Sequence, residues 1–363
     1  ILYGIHPLII LPDKNGLYDL FLKKGIPVKS LKYRMSVYPY VNGLRDLVLF
    51  LPRLFARIVL NYFATFRLMT LSKAFKPDLI HTNVSVIDIG FNVAMKLKIP
   101  HVWHIREYGS LDFNYYYYFS RASFLRKLNV ENSYSICITR DIQKYNQLCD
   151  SSRSFVIYDG VLSVNDILFK KCKQKYFLYA GRLEPNKGIL NLLYSFADFN
   201  KIRPDSSIRL LVAGDTPNKE YYNYLKSVTQ NLNISGVVDF LGMRRDILDL
   251  MSKAYLMIVP SLSEGFGFIT SEAMFSGALV VGYNVAGTKE QFDNGFELCN
   301  EEIGLRYSTS EDLVNHMCEV VDKGIEWYIP MIKCAQKVVS NLYSKEQYID
   351  NIYKLYTNIL NQK

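Results

Sequence analysis

The stretch Tyr176–Phe199, "YFLYAGRLEPNKGILNLLYSFADF", decides the fold. Tyr176 to Gly181 is a short apolar run ending on glycine, the pattern of a strand buried on both faces in a parallel sheet. A polar turn with Pro185 and Gly188 follows, and from there apolar residues recur at helical spacing. Such a strand–turn–helix puts its polar turn at the carboxyl end of the strand, where open α/β sheets bind ligands. Arg182 and Lys187 stand five residues apart in that turn. A guanidinium and an ammonium converging beside a helix N-terminus suit a diphosphate. Taken alone, such a pair is usually no more than two solvated loop cations.

The alternation continues on both sides. After Phe199, strands are expected at 208–215, 237–242, 255–260 and 278–283, with helices at 219–232 and 246–254 and a helical tail from about Ser310. Before it, strands are expected at 6–12, 27–31, 78–83, 101–107, 133–139 and 154–160. Helices are expected at 16–26, 44–75 and 85–99. Polar residues cluster after several strands: "HTN" (81–83), "HIRE" (104–107), "GRLEPNKG" (181–188) and "SLSEGFG" (261–267). The pattern implies an α/β chain with two Rossmann-like halves, parallel sheets and a cleft between them. The expected divisions are a first Rossmann-like domain at 1–165, a second at 166–342, and a helix at 343–363 that packs back on the first domain.

A second stretch, "PSLSEGFGFITSEAMFSGALVV" (260–281), holds Glu264 and Glu272 around Gly265 and Gly267. The glycines let backbone N–H groups approach an anion, and a carboxylate at Glu272 can accept hydrogen bonds from a ribose diol. The competing expectation is a capping box, Ser261-x-x-Glu264, opening a helix whose dipole favours acids.

The 363 residues carry 49% hydrophobic and 21% charged side chains, a globular composition, and a net charge of +9. The charge suits nucleotide phosphates or an anionic membrane, and no nucleic-acid module is present. The six cysteines form no CxxC pair and are expected as free buried thiols. The five histidines show no metal-ligand spacing, and Walker and GxGxxG motifs are absent. The most apolar segment, Leu47–Phe66, is interrupted by Pro52, Arg53 and Arg57, so no membrane span is expected.

Taken together, "YAGRLEPNKGILNLLYSF", "LLVAGD", "VDFLGMRRDILDLMSKAYLMIVPSLSEGFGFITSEAM" and "GYNVAGTKEQF" with "GLRY" resemble the retaining glycosyltransferases of family 4, in family order over most of residues 176–307. The first half matches more loosely, through "PDLIHTN", "HVWHIRE" and "FVIYDGV", the last with Asp159 where the family has Asn. The resemblance implies the GT-B fold and metal-independent transfer of a sugar from a UDP- or GDP-linked donor to a glycan or lipid-linked acceptor in bacterial surface-polysaccharide synthesis. Arg182 and Lys187 would grip the donor diphosphate, and Glu272 the ribose. Glu264 with Gly265, Phe266 and Gly267 would hold donor sugar and phosphate. Met243 and Arg244 would lie near the base, and His104 would face donor sugar and acceptor. Glu290 would support the donor loop or only pack behind it. It also implies that a first strand and Gly-rich loop precede Ile1. The alternatives are a catalytically inactive binding or scaffold protein of this fold and a sugar-nucleotide epimerase. Basic and aromatic residues at 44–73 and 115–128 suit peripheral attachment to an anionic membrane surface, on the cytoplasmic side.

Overall fold

The computed structural model describes residues 3–113, 115–118 and 120–362. It divides into two compact units: one ends at Ile157 and takes back the chain from Asn351, and the other is Tyr158–Asp350.

Among the described residues the first unit holds six strands: β1 (Ile9–Leu11), β2 (Val28–Ser30), β3 (Ile80–Asn83), β4 (His101–Ile105), β5 (Ser133–Cys137) and β6 (Ser154–Val156). β1 pairs with β2, and the other four form a parallel sheet in chain order. β4 and β5 are buried along their whole length, although His101, His104, Ser133 and Ser135 interrupt their apolar residues. Trp103 stacks on Phe91 and meets Phe124 edge-on, filling the space between sheet and helices.

The expected helical region at 44–75 forms as Leu44–Val48 and Phe50–Phe75. Pro52 does not interrupt it. Proline is tolerated in the first helical turn, where its missing N–H would have no intrahelical acceptor. Nor do the arginines break the run. Arg53 turns back to Asp46 at 2.6 Å, and Arg57 donates to the Val37 carbonyl at 3.0 Å. The helix is therefore long and apolar enough to cross a membrane by length and composition, contrary to expectation.

The second unit is one six-stranded sheet: β7 (Gln174–Ala180), β8 (Arg209–Ala213), β9 (Val238–Gly242), β10 (Ala254–Val259), β11 (Val280–Tyr283) and β12 (Leu305–Tyr307). Every pairing is parallel, in the order β12-β11-β10-β7-β8-β9. Helix Ile189–Ile202 buries Leu192, Leu193, Phe196 and Phe199 in a core shared with Phe177, Leu210 and Met317. The chain winds outward from β7 to β9, then restarts on the other side at β10. The switch in direction lies between β7 and β10, and at such a point the loops leaving adjacent strands part to open a crevice.

The cysteines are all free, but only Cys137 is buried, and Cys149 and Cys172 are exposed. The latter two lie in polar surface turns, where their apolar neighbours do not carry them inward.

Gly214 ties β8 to the turn after β7. A Cβ there would lie 1.8 Å from the Gly181 carbonyl oxygen, and its φ of +147° disfavours side chains. Gly214→Ala should destabilise this unit by about 2 kcal/mol or more in chemical denaturation. An unchanged midpoint would show that the β7 turn yields freely.

Candidate active site

Two loops meet at the switch point. The turn after β7 ends at Gly188, with φ +70°, and a Cβ there would sit 1.9 Å from the Pro260 carbonyl oxygen, just past β10. Only glycine allows that approach. The contact is reinforced by the Leu262 N–H, which donates to the Asn186 carbonyl at 2.9 Å. Between the loops lies a cavity of about 250 Å³, lined by Tyr179, Gly181, Arg182, Lys187, Pro260, Glu264, Phe268 and Ile269 among others.

Inside it, Lys187 Nζ donates to Glu264 Oε1 at 2.6 Å. Both side chains are mostly buried, 14% and 23% exposed. The capping-box expectation for Glu264 does not hold. The helix opens only at Phe268, with Gly267 at φ +86° as its cap, so Glu264 lies in the preceding loop and faces the lysine. Arg182 lines the same cavity from an exposed position, its guanidinium 2.8 Å from Glu184. The helices opening at Ile189 and Phe268 both begin beside this cavity, and neither has an acid in its first turn. Their dipoles add positive potential that no first-turn carboxylate offsets.

Helix Ala286–Cys299 holds the Glu264–Gly267 loop from behind. Gln291 Nε2 donates to the carbonyls of Phe266 and Gly267 at 2.6 and 3.0 Å, while its Oε1 accepts from Ser271 at 2.8 Å. The Gly287 N–H donates to the Glu264 carbonyl at 3.0 Å, and a Cβ on Gly287 would lie 2.3 Å from the Phe266 carbonyl oxygen. Phe266 is buried, its ring against Phe268, Tyr158 and Tyr343. Glu290 is buried and accepts from the Tyr158 hydroxyl at 3.0 Å, so the neighbouring Gln291, unremarked in the sequence, grips the loop. The signal was present in "GTKEQ": helical spacing puts Gln291 on the same face as Gly287 and Thr288. Opposite, the Tyr179 hydroxyl donates to the Arg182 carbonyl at 2.8 Å, and burial, then Glu264, push that phenol's pKa up.

Glu272 is the fifth residue of the helix starting at Phe268, one turn beyond Ile269 on the same face. Among the described residues its carboxyl has no hydrogen-bond or ionic partner, and burial alone holds its pKa above the usual range. Met243 and Arg244 follow β9, two strand positions from β7 and outside the cavity lining. Met243 is 82% exposed, and Arg244 forms a two-point pair with Asp246 at 2.9 and 2.7 Å. His104 belongs to the first unit, buried in β4 against His81. Burial, then Arg106 and His81, push its pKa down to about 2, so it is neutral at ordinary pH. His81 Nδ1 meets the Tyr356 hydroxyl at 2.5 Å, and Arg106 donates to Asn83 at 2.8 Å. Glu107 accepts from the Ser85 N–H and hydroxyl at 2.7 and 2.6 Å.

Residues 165–326 match the family described as glycosyl transferases group 1. That segment belongs to this glycosyltransferase family. The chain is 34% identical over 148 residues to the O-antigen chain mannosyltransferase RfbU of Salmonella typhimurium, covering 40% of each chain. It is 28% identical over 207 residues to an Escherichia coli UDP-Gal:alpha-D-GlcNAc-diphosphoundecaprenol alpha-1,3-galactosyltransferase, covering 54% of this chain and 49% of the relative. The chain spans about half the length of the curated relatives it matches. The structure of Anabaena HepE in complex with UDP superposes with a TM-score of 0.75 at 19% identity, over 97% of this chain and 92% of that one. A glycosyltransferase from Rickettsia africae gives 0.75 at 18% identity, over 100% and 92%. The fold of the chain is GT-B, with a Rossmann-like parallel sheet in each unit.

Two measurements probe this geometry. Gln291→Met keeps volume but leaves two buried carbonyls without their donor, and should cost about 2 kcal/mol in urea denaturation. A neutral result would mean that the loop is held elsewhere. For Glu272, folding favours the protonated carboxyl. That stability is full below the unfolded pKa and is lost as pH rises through the folded one. Glu272→Gln should therefore raise the ligand-free melting temperature at pH 7, with the gap closing in acid. A lower melting temperature at pH 7 would contradict the unpaired state.

Proposed function

We propose that this protein is a retaining glycosyltransferase that moves a sugar from a UDP- or GDP-linked donor to a glycan acceptor, lipid-linked, in the synthesis of a bacterial surface polysaccharide such as O-antigen, capsule or exopolysaccharide. The observation that carries the proposal is the Lys187–Glu264 pair in a cavity at the switch point, between two helix N-termini. Departure of a nucleoside diphosphate leaves negative charge on its β-phosphate, and fixed cations and helix dipoles stabilise that charge best where water is scarce. Lys187 uses one of its three N–H bonds on Glu264, which aims the other two. Arg182, itself exposed beside a partly buried Glu184, swings onto the diphosphate at little cost.

Gly265, Phe266 and Gly267 present backbone to donor sugar and phosphate, and the unpartnered Glu272 takes the ribose hydroxyls. Met243 and Arg244 lie toward the base. In transfer with retention, the bond from the anomeric carbon to the phosphate oxygen breaks, the acceptor oxygen bonds on the same face, and the acceptor proton passes to a donor phosphate oxygen. His104 enters as a neutral hydrogen-bonding group for the acceptor, since so depressed a pKa makes a poor base. Similarity to the O-antigen chain mannosyltransferase RfbU and to the E. coli diphosphoundecaprenol galactosyltransferase supports the polysaccharide and lipid-linked parts. A lipid-linked acceptor places the protein on the cytoplasmic face of the cell membrane. The cations present make transfer metal-independent in this proposal.

The test is a thermal-shift screen of UDP- and GDP-sugars followed by turnover of the one that stabilises the protein. Glu272→Ala should raise nucleotide Kd about tenfold or more. Lys187→Ala should lower turnover about a hundredfold with a smaller change in Kd. EDTA should leave the rate unchanged. A donor that binds but is never transferred would favour the inactive binding protein, and free epimerised donor would favour the epimerase.

A further inference from the structure

Among the described residues, only one face of helix Phe50–Phe75 is covered by protein. Ala64 and Leu68 pack with Leu31, Ile89 and Val93, and Asn61, Thr65 and Ser72 are buried beside them. The opposite face carries Leu51, Phe55, Tyr62, Phe63 and Phe66, all exposed, with Phe55 and Tyr62 at 69%. At helical spacing these five fall within an arc of about 120°. Arg53 and Arg57, the charged residues between 51 and 66, lie outside it and turn back to the protein. The exposed Leu44, Leu47 and Val48 of the preceding short helix lengthen the apolar surface. Soluble monomers rarely leave so long an apolar stripe in water unless it meets a partner.

We propose that this face docks on an anionic phospholipid bilayer, with the helix in the interfacial plane and the Leu51–Phe66 stripe at the acyl boundary. Charge complementarity selects this occupant. Arg45, Arg67 and Lys73 are exposed around the stripe, on a chain of net charge +9. Each basic side chain near an anionic leaflet adds to the attraction of the buried apolar face. The helix lies on the bilayer instead of crossing it, because its covered face belongs to the core and the chain enters β3 at Ile80, soon after Phe75. A second copy on the same face would bring two sets of these cations together. The proposal does not rest on sugar transfer.

Flotation of the whole chain with phosphatidylglycerol-containing and pure phosphatidylcholine vesicles tests it. The parent should float with the anionic vesicles. The triple variant Phe55→Ser, Tyr62→Ser, Phe66→Ser should lose at least about tenfold in partitioning with an unchanged melting temperature, since the side chains are exposed. Arg45→Gln, Arg67→Gln, Lys73→Gln together should weaken the anionic preference by about tenfold or more. The proposal falls if the parent does not float, if the serine variant floats as well as the parent, or if light scattering shows a parent dimer that the serine variant dissolves while neither form floats.

Discussion

The candidate site depends on the contact between Gly188 and the carbonyl of Pro260. It locks the turn leaving β7 to the loop leaving β10, where the winding of the sheet reverses. A side chain at residue 188 would push the loops apart and separate Lys187 from Glu264. Everything chemical at the site follows from that approach: the cavity between the loops, the ion pair within it, and the two helix N-termini beside it. The second helix layer then fixes the other wall through Gln291, whose amide serves three partners of the Ser271–Phe266–Gly267 segment.

The two glutamates in this segment occupy opposite electrostatic situations. Glu264 has its cation at hydrogen-bond distance, so little of its charge is uncompensated. Glu272 is desolvated with no partner among the described residues. An unpaired, half-buried carboxylate opposes folding, and such groups persist where a ligand supplies the missing donors. The contrast gives the two acids different electrostatic characters, Glu264 compensated and Glu272 not.

The long helix of the first unit poses a related problem in a different medium. Its covered side follows ordinary packing rules, while its aromatic side remains in water. Hydropathy along the chain averages over both sides. Only the direction each residue takes around the helix separates a core helix, a spanning helix and an interfacial one.

Much was legible from local pattern alone. The alternation of apolar strands and amphipathic helices indicated the parallel α/β class, because buried parallel strands and 3.6-residue periodicity are properties of short stretches. The identities of Arg182, Lys187, Glu264 and Glu272 as candidates were also legible, from polar turns at strand ends. Three things were not. Glu264 looked like a helix cap until the helix was seen to open at Phe268. Pro52 looked like a break until it fell in a first turn. Gln291 carried no label because its partners lie 24 and 25 residues earlier. The sequence by itself determined the class of fold and the types of residue in the site. Tertiary structure decided which of them meet. Lys187 and Glu264 are 77 residues apart, and only strand order and a glycine's missing side chain bring them to 2.6 Å.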